Sequence, residues 1–205
     1  MSTAVRGRSR GVAPRRRRRF GMLGILLAAG VGLLLALPLL RGEIQKLTLP
    51  LEHADIIRQQ AQRKHVDPAL IAAVIYAETK FNARRSPAGA EGLMQILPAT
   101  ALFLAHRSGA TTFTTADLAT PQVNIAYGTY YLRFLLDHYG GNETLALAAY
   151  NGGQANVDRW LSEAHAAGRR FTIAAIAFPE TRAYVAKVER AKAAYRTDYP
   201  TQLRL

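Results

Sequence analysis

Hydrophobic positions fall into two regimes along this chain. Residues 20–40 read FGMLGILLAAGVGLLLALPLL, with no charged or hydrogen-bonding polar side chain from Phe20 through Leu40. From residue 51 onward, apolar residues recur at three- and four-residue spacing, the period of a helix that buries one face, and no strand-rich stretch interrupts them. An all-α domain is expected. The pattern predicts helices over 51–64, 68–80, 98–106, 121 to the glycines at 140–141, 142–150, 154–166 and 180–196. Asp67 precedes Pro68 as an N-cap ahead of a proline at the first helical position, where its missing N–H costs nothing. Thr120-Pro121 repeats that chemistry, Asn142 caps the following helix, and Gly140-Gly141 ends the long one before it. Two stretches, 86–92 (SPAGAEG) and 151–153 (NGG), are rich in turn formers and read as loops beside helix ends, where functional groups concentrate.

The apolar run at 20–40 is 21 residues long. At a rise of about 1.5 Å per residue it reaches roughly 30 Å, the thickness of a bilayer's hydrocarbon core, and a single transmembrane helix is expected. The run exceeds the roughly 7 to 15 apolar residues of a cleaved signal peptide and no small-x-small site closes it, so an uncleaved anchor is the preferred reading. Arg6, Arg8, Arg10 and Arg15 to Arg19 precede it without an acidic residue, whereas only Arg41 and Lys46 follow closely. That bias places the N-terminus in the cytoplasm and the rest of the chain periplasmic or extracellular. The expected organisation is a basic cytoplasmic tail at 1–19, an anchor in the cytoplasmic (inner) membrane at 20–40, a linker at 41–51 and then the helical domain.

Charge and composition narrow the chemistry. The 205 residues are 49% hydrophobic and 20% charged, enough for one sizeable core. A net charge of +13 suggests nucleic acid until it is divided: +8 belongs to residues 1–19 and only +5 to the remainder. No nucleic-acid partner is expected. With no cysteine, disulfides, thiolate metal sites and cysteine nucleophiles are excluded. Histidines 53, 65, 106, 138 and 165 lack paired ligand spacing and no phosphate-binding glycine loop occurs, so neither metal nor cofactor is expected.

One carboxylate is out of place. Ile71, Val74 and Ile75 precede Glu78 by seven, four and three residues, so Glu78 shares the apolar face of its helix. A glutamate there either pairs with a cation, Lys80, Arg84 and Arg85 being at hand, or has its pKa raised by desolvation toward values useful for donating a proton. Spacing alone leaves both open.

The residues around it are more specific. Ala77-Glu78-Thr79-Lys80-Phe81 is followed by Ser86-Pro87-Ala88-Gly89-Ala90-Glu91-Gly92-Leu93-Met94-Gln95-Ile96, with Pro98 and Thr100 just beyond. Then come Pro121-Gln122-Val123-Asn124-Ile125 with Gly128 and Tyr131-Leu132, Ala148-Ala149-Tyr150-Asn151-Gly152-Gly153, and Pro179-Glu180-Thr181-Arg182-Ala183-Tyr184-Val185. In this order the segments resemble the catalytic module of the soluble-type lytic murein transglycosylases, the SLT domain, over residues 52–198. Thr79 departs from the serine usual there, and Gly152-Gly153 from a more common glycine and small residue.

The resemblance implies a lysozyme-like all-α fold and cleavage of the β-1,4 bond between N-acetylmuramic acid and N-acetylglucosamine in peptidoglycan, without water, leaving a 1,6-anhydro end. It implies Glu78 as the single acid and base. Thr79, Ser86, Met94, Gln95, Tyr150, Asn151 and Tyr184 are implied as substrate contacts: amides and hydroxyls for the sugar's polar groups, Met94 as an apolar wall, tyrosines as flat faces. Glu91, Asp137 and Asp158 are poor candidates for a second carboxylate and read as solvated surface groups. The expected partners are peptidoglycan glycan strands, the membrane through 20–40, and cell-wall or secretion-complex proteins. Two alternatives stay open: a muramidase hydrolase of the same fold, and a catalytically silent peptidoglycan-binding scaffold.

Overall fold

Residues 48–205 are those that the computed structural model describes. Among them the helices are α1 Ala54–Lys64, α2 Pro68–Thr79, α3 Pro98–Ser108, α4 Pro121–His138, α5 Glu143–Gly152, α6 Gln154–Ala166, α7 Pro179–Asp198 and α8 Pro200–Leu203. Short 3-10 turns occupy Thr115–Ala119 and Ile173–Ala175. The basic tail and the expected anchor at 20–40 lie outside the described residues. Among the described ones no helix is long and apolar enough to cross a membrane.

The order of burial follows from the sequence of α2, PALIAAVIYAET, which is apolar all round and therefore belongs at the centre rather than on a face. Ala69 through Ile75 are each at most 1% exposed. The longest contact of α2 is with α7, which turns Thr181, Tyr184, Val185, Val188, Ala191 and Tyr195 inward at helical spacing. Small residues let α5 approach closely: Ala146, Ala148 and Ala149 are fully buried where it meets α4, α6 and α7.

The helix ends match the expected chemistry with some differences. Asp67 Oδ1 accepts from the Ala69 N–H at 2.9 Å, and Asn142 Oδ1 from the Leu145 N–H at 3.1 Å. Thr120 does not cap α4 with its side chain; its hydroxyl donates to the Asp117 carbonyl, and the capping box belongs to Thr114 and Asp117 one turn earlier. Helix α1 begins at Ala54 because His53 is left-handed at φ 54°. Asn151 and Gly152, expected in a loop, form the last turn of α5, and Gly153 alone, at φ 86°, makes the link to α6. The folded unit is also wider than 52–198. Leu49, expected in the linker, is buried, and Leu49 and Pro50 carbonyls accept from the Tyr199 and Tyr195 hydroxyls. At the far end Leu203 is 1% exposed.

Candidate active site

Glu78 sits at the last turn of the central helix, and the chain reverses immediately after it. Lys80 and Phe81 are both left-handed, at φ 52° and 64°, a pair of conformations that costs energy in residues with side chains. Burial of Phe81, whose ring lies 6.4 Å from that of Tyr195, offsets that cost. The following segment folds back on itself through an antiparallel bridge in which Glu91 and Ile96 exchange two backbone bonds of 3.0 Å.

Three side chains, two of them fully buried and the third half-buried, clamp this segment by its backbone. The Thr79 hydroxyl donates to the Leu93 carbonyl at 2.8 Å and to Ile75 at 3.2 Å. Asn124 of α4 accepts the Met94 N–H at 2.8 Å and donates to the carbonyls of Glu91 and Leu118. The Tyr150 hydroxyl of α5 donates to the Met94 carbonyl at 2.8 Å. Gln95, left-handed at φ 49°, is braced by its own amide, which donates to the carbonyls of Arg84 and Gly92.

Four of the expected contact residues therefore have structural work. Thr79, 2% exposed, has its hydroxyl engaged inside the fold and belongs to the frame. Met94 is fully buried beneath Gly128, where an added Cβ would fall 2.4 Å from its sulfur, so its thioether is core packing rather than a wall. Ser86 closes the turn at 86–90 by accepting the Ala90 N–H at 3.0 Å. The Tyr150 phenol is engaged at Met94, leaving its ring as the exposed part.

Gln95, Tyr150 and Asn151 come together. With Ile96, Thr100 and Tyr131 they wall an open hollow of about 350 Å³. Asn151 is held by the Thr181 hydroxyl of α7, which donates to its Oδ1 at 2.8 Å. Tyr150 joins this hollow to Glu78: its ring is in the wall, and its phenol is pushed up in pKa by burial first and by the Glu78 charge second.

Burial pushes the Glu78 carboxyl up from 4.5 to about 7, against the opposing pull of Tyr184, Lys187 and Arg84. Neither cation closes an ion pair on it. Arg84 donates to the Glu78 backbone carbonyl and Lys187 to that of Ala77, while Arg85 is paired with Glu91. The Tyr184 hydroxyl is buried and faces the Glu78 carboxyl from outside ordinary hydrogen-bond geometry. Glu78 is thus half neutral near pH 7, the state a proton donor needs. The other acids are engaged: Glu91 with Arg85, Asp137 with Arg133, Asp158 with His138 and the Tyr139 hydroxyl. Asp137 and Asp158 are exposed surface groups, as expected, and Glu91 is the more covered of the three. Sequence reasoning missed Asn124 as a clamp and Lys187 as a neighbour of the acid. Asn124 lay inside a quoted motif, but its inward direction is set by how α4 packs.

A helical scaffold that presents one half-buried glutamate beside an amide- and tyrosine-walled hollow agrees with the comparison to known families. The model of the Transglycosylase SLT domain matches residues 55–172, and the chain belongs to that family. It is similar to the soluble lytic murein transglycosylase of Escherichia coli (strain K12), 34% identical over 152 residues, 72% of this chain and 23% of that protein. A putative soluble lytic murein transglycosylase of Haemophilus influenzae is 36% identical over 145 residues, 69% of this chain and 24% of that one. Among solved structures, the 70 kDa soluble lytic transglycosylase of Escherichia coli superposes with a TM-score of 0.69 at 33% identity, over 77% of this chain and 26% of that one. An inactive glutamate-to-glutamine mutant of lytic transglycosylase Slt from Pseudomonas aeruginosa gives 0.68 at 31% identity, over 75% and 25%. The lysozyme-like SLT fold is shared, and the chain spans about a quarter of the length of these relatives.

Proposed function

We propose that this chain is a peptidoglycan lytic transglycosylase in which Glu78 serves as acid and then as base. The neutral carboxyl donates its proton to the oxygen between C1 of N-acetylmuramic acid and C4 of N-acetylglucosamine, and the C1–O bond breaks. The sugar's 2-acetamido group stabilises the cationic C1. The resulting carboxylate takes the proton of the C6 hydroxyl as O6 bonds to C1, which gives the 1,6-anhydro end and returns Glu78 to its starting state. No water is consumed and no second carboxylate is required, unlike the two-carboxylate arrangement of most glycosidases.

The observation that carries this reading is Glu78 itself: a carboxyl lifted by burial to about 7, with the Tyr150 and Tyr184 phenols against it and Tyr150 also walling the sugar hollow. Gln95 and Asn151 support the sugar-binding part, since their amides both donate and accept. Digestion of purified sacculi followed by mass spectrometry is the test. Muropeptides lighter by one water than the reducing ends are expected; reducing ends alone would make the chain a hydrolase, and no release from either would make it a silent binder.

For location, the apolar run at 20–40 behind its arginines supports a single-pass anchor holding the domain on the outer side of the cytoplasmic membrane. The full chain should then stay with membranes through alkaline carbonate extraction.

A further inference from the structure

The two amides that wall the sugar hollow are each committed at one end. Gln95 spends its Nε2 protons on the protein, donating to the Arg84 carbonyl at 2.7 Å and to that of Gly92 at 2.8 Å, so its Oε1 is what remains for a ligand. Asn151 is committed the other way round. Its Oδ1 accepts the Thr181 hydroxyl at 2.8 Å, and its Nδ2 makes no hydrogen bond among the described residues. Asn151 is exposed and lines the hollow, whereas Thr181 of α7 is fully buried. One free acceptor and one free donor therefore stand in the same wall.

Thr181 gives the Asn151 amide its direction. The oxygen and the NH2 group of an amide have almost the same shape, so packing alone does not choose between the two ways of turning it. The hydroxyl does. Among the described residues the Thr181 hydroxyl proton has one acceptor, Asn151 Oδ1. Turning the amide over would set Nδ2 against the hydroxyl oxygen and strand that proton at a residue with no access to water, which is costly for a buried donor. The contact also needs α5 and α7 to approach closely, and Gly152 permits it: a Cβ there would lie 3.0 Å from Thr181 Oγ1 and 3.2 Å from its Cγ2. Branching at Cβ restricts the χ1 of Thr181 as well. A group fixed inside the frame thus holds one that faces solvent.

Building on the proposed function, we propose that Thr181 is a positioning residue for substrate: its hydroxyl locks the Asn151 amide with Nδ2 toward the hollow, so that the glycan meets a donor from α5 opposite the acceptor of Gln95. An oxygen of the sugar is what Asn151 then receives. Thr181 itself does not touch the glycan and acts only through Asn151.

The test measures KM and kcat of the full chain on a glycan oligomer of alternating N-acetylmuramic acid and N-acetylglucosamine. Thr181→Val keeps the shape and removes the hydroxyl. With two χ1 rotamers and two amide orientations open to Asn151 in place of one arrangement, about one molecule in four is competent, so KM should rise about fourfold with kcat unchanged. Thr181→Ser should restore KM. In the Asn151→Ala background the amide is gone, and Thr181→Val should leave KM where it stands, because residues that act through one contact are not additive. Affinity of the same oligomer for the Glu78→Gln protein, titrated calorimetrically with and without each change, should show this pattern without turnover. An equal rise in KM in both backgrounds, a serine variant no better than the valine one, or a KM unaltered by Thr181→Val would overturn the proposal. Absence of turnover in the unmodified protein, with the pattern kept in the binding titration, would defeat the proposed function alone. A thermal melt of each variant checks the fold, and Thr181→Ala, which adds no atom, gives the same cycle should the valine variant not fold.

Discussion

Asn124 holds Met94 by the backbone: its Oδ1 accepts the Met94 N–H at 2.8 Å across 30 positions of sequence, while its Nδ2 serves Glu91 and Leu118. Asn124 is fully buried, so removing its side chain leaves the Met94 N–H and the Leu118 carbonyl without partners, while the Glu91 carbonyl keeps only the Ile96 N–H. Each stranded buried group costs about 1 to 3 kcal/mol. Asn124→Ala is therefore expected to lower stability by about 3 kcal/mol or more, read as a shift in the urea midpoint, and to raise KM by releasing Gln95 from the sugar hollow. Unchanged stability would mean that the segment is held elsewhere.

Two glycines guard the same clamp and should respond unequally. A Cβ at Gly92, already at φ 74°, would lie 2.2 Å from Asn124 Nδ2 and 2.7 Å from the Leu118 backbone carbonyl. At Gly128 the obstacle is the Met94 side chain, 2.4 Å from the added Cβ, which has several rotatable bonds. Gly92→Ala should cost the more, because left-handed strain adds to a clash with backbone that has no room to move. Gly128→Ala should cost about 1 to 3 kcal/mol from overpacking, partly offset by the better helix propensity of alanine. Melting temperatures of the two variants give the order directly.

Thr79 tests the assignment of a motif residue to the frame. Thr79→Val keeps the shape and removes the hydroxyl, stranding the Leu93 carbonyl; about 1 to 3 kcal/mol of stability should be lost. Thr79→Ser keeps both hydrogen bonds and leaves a methyl-sized void, a loss of about 1 kcal/mol. If Thr79 instead touches sugar, Thr79→Val should change KM with stability intact.

The helical scaffold was legible because its signals are local. The three-four spacing, Asp67 ahead of Pro68 and Asn142 at its cap depend on neighbours in sequence, and they place α2 and α5 closely. The apolar spacing around Glu78 likewise shows that it faces the interior. What stayed hidden is set by packing between distant segments. Whether Thr79 and Met94 meet sugar or support it depends on contacts 14 and 30 residues away, and nothing in the motif distinguishes the two. The same holds for Lys187, brought to Ala77 across 110 positions. Leu49 and Leu203 reach the core through the tertiary fold rather than through a periodic run, so the sequence pattern does not mark them as buried.

Glu78 should govern how both activity and stability depend on pH. In the folded protein it titrates near 7 in place of 4.5, so the fold favours the neutral acid. That contribution is fully present below about pH 4.5 and is lost as the pH rises through 7. At one pKa unit per 1.36 kcal/mol the difference is about 3 kcal/mol. Glu78→Gln cannot ionise, so it should abolish turnover while becoming more stable than the unmodified protein above pH 7, by about that amount relative to their difference at pH 4. In the unmodified protein kcat/KM should fall tenfold per pH unit above about 7, as the proton donor is lost. Tyr184 favours the carboxylate, so Tyr184→Phe should move this limb to higher pH, and Lys187→Met should move it the same way. A limb that stays in place or moves to lower pH in both variants would show that another group carries the proton.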